Sequence, residues 1–176
     1  MTNEKSPSVP SWWDRHVSKE ANKDVLKASD RAGNVIGAVF SVIVILYFIE
    51  LYSSSSGFFK EDITDIELGL FFWAAIFGIS PSIVRATVGS RNISRPLDIL
   101  STIFVLIAVL VLLSSFPFDF EHLDDLLPGP LRFMLNWIND GVARAFMWFI
   151  AIVSLFMVPY TTALYLSVRK KLSGAA

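Results

Sequence analysis

Four stretches of this chain, residues 33–52, 67–88, 97–116 and 142–168, are long, apolar and nearly free of charge. A helix of about 20 residues crosses a hydrocarbon layer of roughly 30 Å. A water-soluble helix of that length carries a polar face, and these stretches have none. Between Ile99 and Phe116 the polar groups are Ser101, Thr102, Ser114 and Ser115, hydroxyls that can bond a carbonyl one turn back. The chain is 53% hydrophobic and 18% charged, and its charges gather between the apolar stretches. The fold class is therefore all-α: a polytopic membrane protein, a four-transmembrane-helix bundle with short interfacial helices.

Basic residues set the expected orientation, because Lys and Arg near the ends of spans stay on the cytoplasmic side. Lys5, Arg15, Lys19, Lys23, Lys27 and Arg31 precede the first span. Arg85, Arg91 and Arg95 surround the second connection, and Arg169, Lys170 and Lys171 follow the fourth span. The other side holds Lys60, Arg132 and Arg144 together with most of the acids. Four spans alternate these segments with both termini in the cytoplasm and the chain in the cell membrane. The first 32 residues are too polar for a secretory signal, so the first span is expected to remain as an uncleaved anchor.

Residues 1–10, with Pro7 and Pro10 among small polar groups, are expected to be disordered. Residues 11–32 are assigned to a cytoplasmic interfacial segment, helical as far as Ala28. Trp13, Val17, Ala21 and Val25 recur every fourth residue there, opposite Arg15, Lys19, Lys23 and Lys27. Trp12 and Trp13 would rest at headgroup level, with Lys19, Lys23 and Lys27 drawn to anionic lipid; a docking helix for a cytoplasmic partner is the alternative. Residues 130–140 form an expected amphipathic helix on the far side, and residues 169–176 a basic cytoplasmic tail. The two hairpins share an Asp near the entry (Asp30, Asp98) and a proline in the return, a weak sign of an internal repeat.

Gly33, Gly37 and Ser41, and likewise Ala74, Gly78, Ser82 and Ala86, are spaced by four. Small residues on one face let membrane helices approach closely, so a contact between spans one and two is expected, with a homo-oligomer interface as the alternative. Pro81, flanked by Ser80 and Ser82, and Pro159, followed by Thr161, each remove a helical hydrogen bond. Freed carbonyls beside hydroxyls are candidate elements of an ion or solute path; ordinary kinks are the plainer reading. Ionisable groups in spans are costly and tend to be paired. Glu50, Glu67 and Arg144 suggest a Glu–Arg pair at the outer rim, while Arg85 has cytoplasmic phosphates or Asp98 within reach. His122 among Asp119, Glu121, Asp124 and Asp125 reads as a solvated acidic loop rather than a metal site.

The absence of cysteine excludes disulfides and thiolate chemistry, and a net charge of −1 gives no reason to expect a nucleic-acid partner. No HExxH, GxSxG or glycine-rich phosphate motif occurs. A non-enzymatic protein without cofactors is expected, whose partners are the lipid bilayer and either copies of itself or a larger membrane complex. The second reading is a small oligomeric channel or transporter with spans two and four lining its path through Glu50, Glu67, Ser80, Pro81, Arg85, Arg144, Pro159 and Thr161.

Overall fold

The computed structural model describes residues 11–174, which fold into five α-helices. They are α1 (Trp12–Asn22), α2 (Ala28–Ser53), α3 (Asp65–Val88), α4 (Arg91–Ser115) and α5 (Asp140–Ser173). Short 3-10 turns occupy Phe120–His122 and Gly129–Met134. Helices α2 to α5 are each long and apolar enough to cross a membrane, and the protein is an all-α, four-helix membrane protein. Phe40, Ile43, Ile107, Phe146, Phe149 and Phe156 lie exposed on these helices, an arrangement suited to hydrocarbon as the surrounding solvent. The disorder expected for residues 1–10 lies outside the described residues.

Local chemistry sets where each helix starts and stops. Ser11 and Asp14 form a reciprocal capping box at α1, and Thr64 and Glu67 form another at α3, each satisfying backbone N–H groups that a helix start leaves free. Ser90 caps α4 through Ile93 N–H and Asn139 caps α5 through Val142 N–H. Helix α3 ends at Gly89 with φ 72°, a left-handed conformation that glycine adopts without strain.

Two sequence expectations need correction. The first helix stops at Asn22 instead of running to Ala28, because Val25 pairs antiparallel with Ser90 and Leu26 N–H bonds Gly89 O at 2.8 Å. Residues 28–32 are the opening turns of α2. The helix expected over 130–140 is a 3-10 turn ending at Met134, after which the chain leaves helical form until Asp140. There Trp137 Nε1 donates to Met134 O, bonding back across the turn.

Helix α2 packs on α3, α3 on α4, and α4 on α5, with α1 lying along α5. Among the described residues no Cα of α2 comes within 8 Å of one of α5. These two helices approach each other only through side chains at the aromatic end. That end of the bundle is closed by aromatic side chains from two loops. Phe59 pairs antiparallel with Phe118, Lys60 N–H donates to Pro117 O, and Asp119 N–H donates to Phe58 O. Phe58 is fully buried, with ring centroids 5.2 Å from Phe120, 5.4 Å from Phe48 and 5.6 Å from Phe118. Leu51, Leu112, Phe116, Leu123 and Ala143 complete this core, and Tyr47 OH donates to Leu123 O at its edge.

The turn into Phe58 depends on Gly57. Its φ is 95°, and a Cβ there would stand 2.9 Å from His122 Cδ2. Phe58→Ala should destabilise the fold by about 3–5 kcal/mol, the usual cost of emptying a buried aromatic site, measured by reversible unfolding in bicelles. Gly57→Ala should destabilise it too, and adding His122→Ala should recover only part of the loss, since the backbone strain remains.

Candidate functional site

At the opposite end the chain brings its charges together. Helix α3 turns into α4 within two residues, and the extended segment before α2 lies against that turn. Asp24 holds the junction: its carboxylate accepts Asn92 N–H at 2.6 Å and the Ser90 hydroxyl at 3.0 Å. An anion at a helix N-terminus satisfies free N–H groups and the positive end of the helix dipole. Arg31 serves the other side of the turn, donating from Nε to Ala86 O and from Nη2 to Thr87 O, carbonyls that the end of α3 leaves free.

Three ion pairs sit between these elements. Arg85 on α3 meets Asp98 on α4 at 2.5 Å, with Arg85 Nε also donating to Ser94 Oγ. Arg95 on α4 meets Glu20 on α1 at 3.0 Å and also donates to Asn92 Oδ1. Arg91, the first residue of α4, meets Asp30 of α2 at 3.5 Å. The pairs differ in shelter: the Arg95 side chain is 7% exposed, whereas those of Arg91 and Asp30 are 35% and 44% exposed. A buried pair is a weak source of net stability, but removing one partner leaves an uncompensated charge.

These pairs border a cavity of about 640 Å³. Its wall combines Asp30, Gly33 and Asn34 from α2 with Arg85 from α3 and Asp98 and Thr102 from α4. Helix α5 contributes Met157, Tyr160, Thr161 and Leu164, and Leu26 adds a further apolar surface. His16 of α1 bonds the Tyr160 hydroxyl at 2.9 Å, so α1 is tied to the cavity wall.

Of the residues singled out for a path, only Arg85 and Thr161 border this cavity. Pro81 is buried in α3, and the carbonyl it would free, Phe77 O, accepts the Ser80 hydroxyl at 2.7 Å. Ser80 thus repairs what Pro81 breaks. Pro159 is exposed on α5. Glu67 is consumed by the capping box of α3, and Glu50 is exposed. Among the described residues no Glu–Arg pair forms at the rim; Arg144 instead places its guanidinium 3.7 Å from the centre of the Phe116 ring, a cation–π contact. These eight residues do not line one route.

The small-residue stripes also need correction. A Cβ at Gly33, Gly37 or Gly78 would meet no atom within 4 Å, so these glycines mediate no close contact between α2 and α3. The half-buried positions along α2 are Asn34, Ala38, Ser41, Ile45, Tyr47 and Phe48, and apart from Tyr47 they alternate steps of four and three. A strict step of four drifts by about 40° per turn around a helix, and only Ser41 belongs to both sets. Ala74, Ser82 and Ala86 are half-buried on α3.

In α1, Trp13, Val17 and Ala21 pack against Leu164 and Val168 of α5, with Trp13 Nε1 donating to Ser167 Oγ. Those three positions of the stripe pack within the chain, while Val25, the fourth, is exposed. Trp12, Lys19, Lys23 and Lys27 are exposed. Glu20, Asp24, Asp30, Arg91, Arg95 and Tyr160 were not singled out as site residues from sequence. Their one common signal is an ionisable or hydroxyl group within a few turns of a span's basic end.

On the aromatic end, His122 Nδ1 lies 2.8 Å from Asp125 Oδ2, and Arg132 donates to Asp125 O. The bond to Asp125 holds the His122 imidazole above the ordinary histidine pKa, with the charges of Asp119 and Glu121 acting in the same direction. Compared with protein-family models, curated proteins and solved structures, the chain matches none.

Two outcomes follow. Asp24→Ala should cost about 1–2 kcal/mol of stability, as loss of a helix cap does, read from unfolding in bicelles. By NMR, His122 should titrate above the ordinary histidine value, and Asp125→Asn should lower its midpoint. Because the folded pKa is raised, the pair's stabilising contribution is full below the unfolded histidine pKa and is lost as pH rises through the folded one.

Proposed function

We propose that this chain is a non-catalytic component of the cell membrane, with both termini in the cytoplasm, that associates with copies of itself or with subunits of a larger membrane complex. The observation that carries the reading is the lightly packed surface of α2. Only Leu51 of this helix is buried, and Gly37, which does not border the cavity, faces space that no neighbouring side chain fills. Small residues left free on a membrane helix suit the close approach of another helix, which in lipid depends on packing. The intramolecular contact that would have used this glycine is absent among the described residues. The charges around the cavity are taken up in ion pairs, which supports a structural or binding role over proton-transfer chemistry.

Basic residues at the cavity end and acids at the aromatic end support the orientation. Single cysteines at Ser173 and Ser55 test it: in intact cells an impermeant thiol reagent should label Ser55→Cys and spare Ser173→Cys. The reverse pattern would invert the topology. For assembly, the purified protein in mild detergent should run above monomer mass, and Gly37→Leu should shift it to monomer. A monomeric wild-type chain, together with a Gly37→Cys variant that forms no cross-link in membranes, would remove self-association.

The cavity gives the transporter reading one specific support, since Arg85 and Thr161 both border it. Against it stands the aromatic closure at the other end of the same chain. Reconstituted vesicles that show solute flux above protein-free vesicles, abolished by Arg85→Gln, would favour transport over assembly alone.

A further inference from the structure

We propose that the cavity at the basic end binds the headgroup of a zwitterionic phospholipid carrying a primary ammonium, with the acyl chains leaving between α2 and α5. This inference stands apart from the assembly reading, which rests on Gly37 outside the cavity wall.

Charge balance selects the class of ligand. Three arginines (Arg85, Arg91, Arg95) and three carboxylates (Glu20, Asp30, Asp98) border the cavity, so the wall is neutral in sum and strongly polar in detail. A simple anion would meet the arginines but also face the acids. A ligand with a phosphate and an ammonium close together finds a partner for each charge. Arg91 and Asp30 are the members best placed to open, being the most exposed and most widely separated of the three pairs. A phosphate replaces Asp30 on Arg91 while the ammonium replaces Arg91 on Asp30. One loose ion pair becomes two charge-assisted sets of hydrogen bonds, and no charge is left bare. Arg95 and Arg85, each fixed by a second side-chain acceptor, keep the fold while this exchange occurs. Asn34 and Thr161 add neutral polar groups to the wall.

Position and shape select a lipid as its source. Asp30 lies in the first turn of α2 and Arg91 begins α4, so the polar groups stand where apolar spans give way to charge. That is headgroup level. Leu26, Met157 and Leu164 form an apolar part of the wall, and α2 and α5, which both border the cavity, have no Cα atoms within 8 Å of each other among the described residues and share a buried cluster only at the aromatic end. This gap gives two acyl chains a lateral exit into the surrounding bilayer. The N–H groups of a primary ammonium donate to Asp30, whereas a quaternary ammonium has none to donate.

The test uses the full-length chain purified in mild detergent, with phosphatidylethanolamine, phosphatidylcholine, phosphatidylglycerol or water-soluble phosphoethanolamine added. Retained ligand is read by native mass spectrometry and stabilisation by thermal unfolding. Phosphatidylethanolamine should be retained about tenfold more strongly than the other two lipids, the scale of one charge-assisted interaction. Arg91→Gln and Asp30→Asn should each reduce that preference, while Lys60→Gln, on the aromatic end, should keep it. Equal retention of the three lipids, or none, would overturn the proposal. Binding of soluble phosphoethanolamine as tight as that of the lipid would overturn the lipid assignment, since the chains would then contribute nothing. The lipid series on the unaltered chain decides the question even where a variant misfolds.

Discussion

Hydrocarbon gives apolar helices no reason to cluster, because lipid tails solvate leucine as well as another leucine does. Whatever holds four apolar helices together must therefore come from packing detail, from polar contacts or from the ends. In this protein α3, α4 and α5 bury mid-span residues such as Ile79, Ala108, Ala151 and Ser154, whereas α2 is held at its ends. Along α2 only Leu51 is buried, close to the aromatic end. Between α2 and α5 no Cα atoms come within 8 Å among the described residues, and shared burial is confined to the aromatic end. Order is imposed where the spans emerge: one end is tied by aromatic rings from paired loops, the other by ion pairs and helix caps.

The two ends use different physics. At the aromatic end, Phe48, Phe58, Phe59, Phe71 and Phe118 meet mostly in tilted and edge-to-face arrangements, which aromatic quadrupoles favour. The Phe116 ring carries Arg144 over its face, and its carbonyl accepts Lys60 Nζ at 3.1 Å. This seals the core and uses cations that would otherwise border the hydrocarbon unpartnered. At the basic end, Asp24, Arg31 and two of the three ion pairs join residues far apart in sequence, and the space between them is polar. With α3, α4 and α5 packed along their lengths and α2 held mainly near its ends, the bundle has room for such a cavity, and α2 is the element freest to take a further partner.

The four spans were legible because lipid imposes a local rule: about 20 apolar residues in a row read the same wherever they occur. The Arg85–Asp98 contact was within reach too, since both residues flank one short turn. Glu20 with Arg95 and Asp30 with Arg91 were not, because hydropathy and charge counts describe neighbours in sequence, and these partners are 75 and 61 residues apart. The aromatic core escaped for the same reason, being assembled from two loops that carried no helical period. The glycine stripe misled by register: a repeat of four resembles a packing face over two turns and drifts off it over three. Pro81 misled because the adjacent Ser80 hydroxyl restores the acceptor's partner, a compensation that depends on rotamer and so is invisible in composition.

The claim that polar contacts at the basic end hold elements of the bundle together is tested most directly by a double-mutant cycle on Glu20 and Arg95. Unfolding would be measured in lipid bicelles for Glu20→Gln, Arg95→Gln and the pair. Coupling of at least about 1 kcal/mol is expected, as for residues in one network. Single effects that add to within about 0.3–0.5 kcal/mol, the behaviour of independent sites, would contradict it.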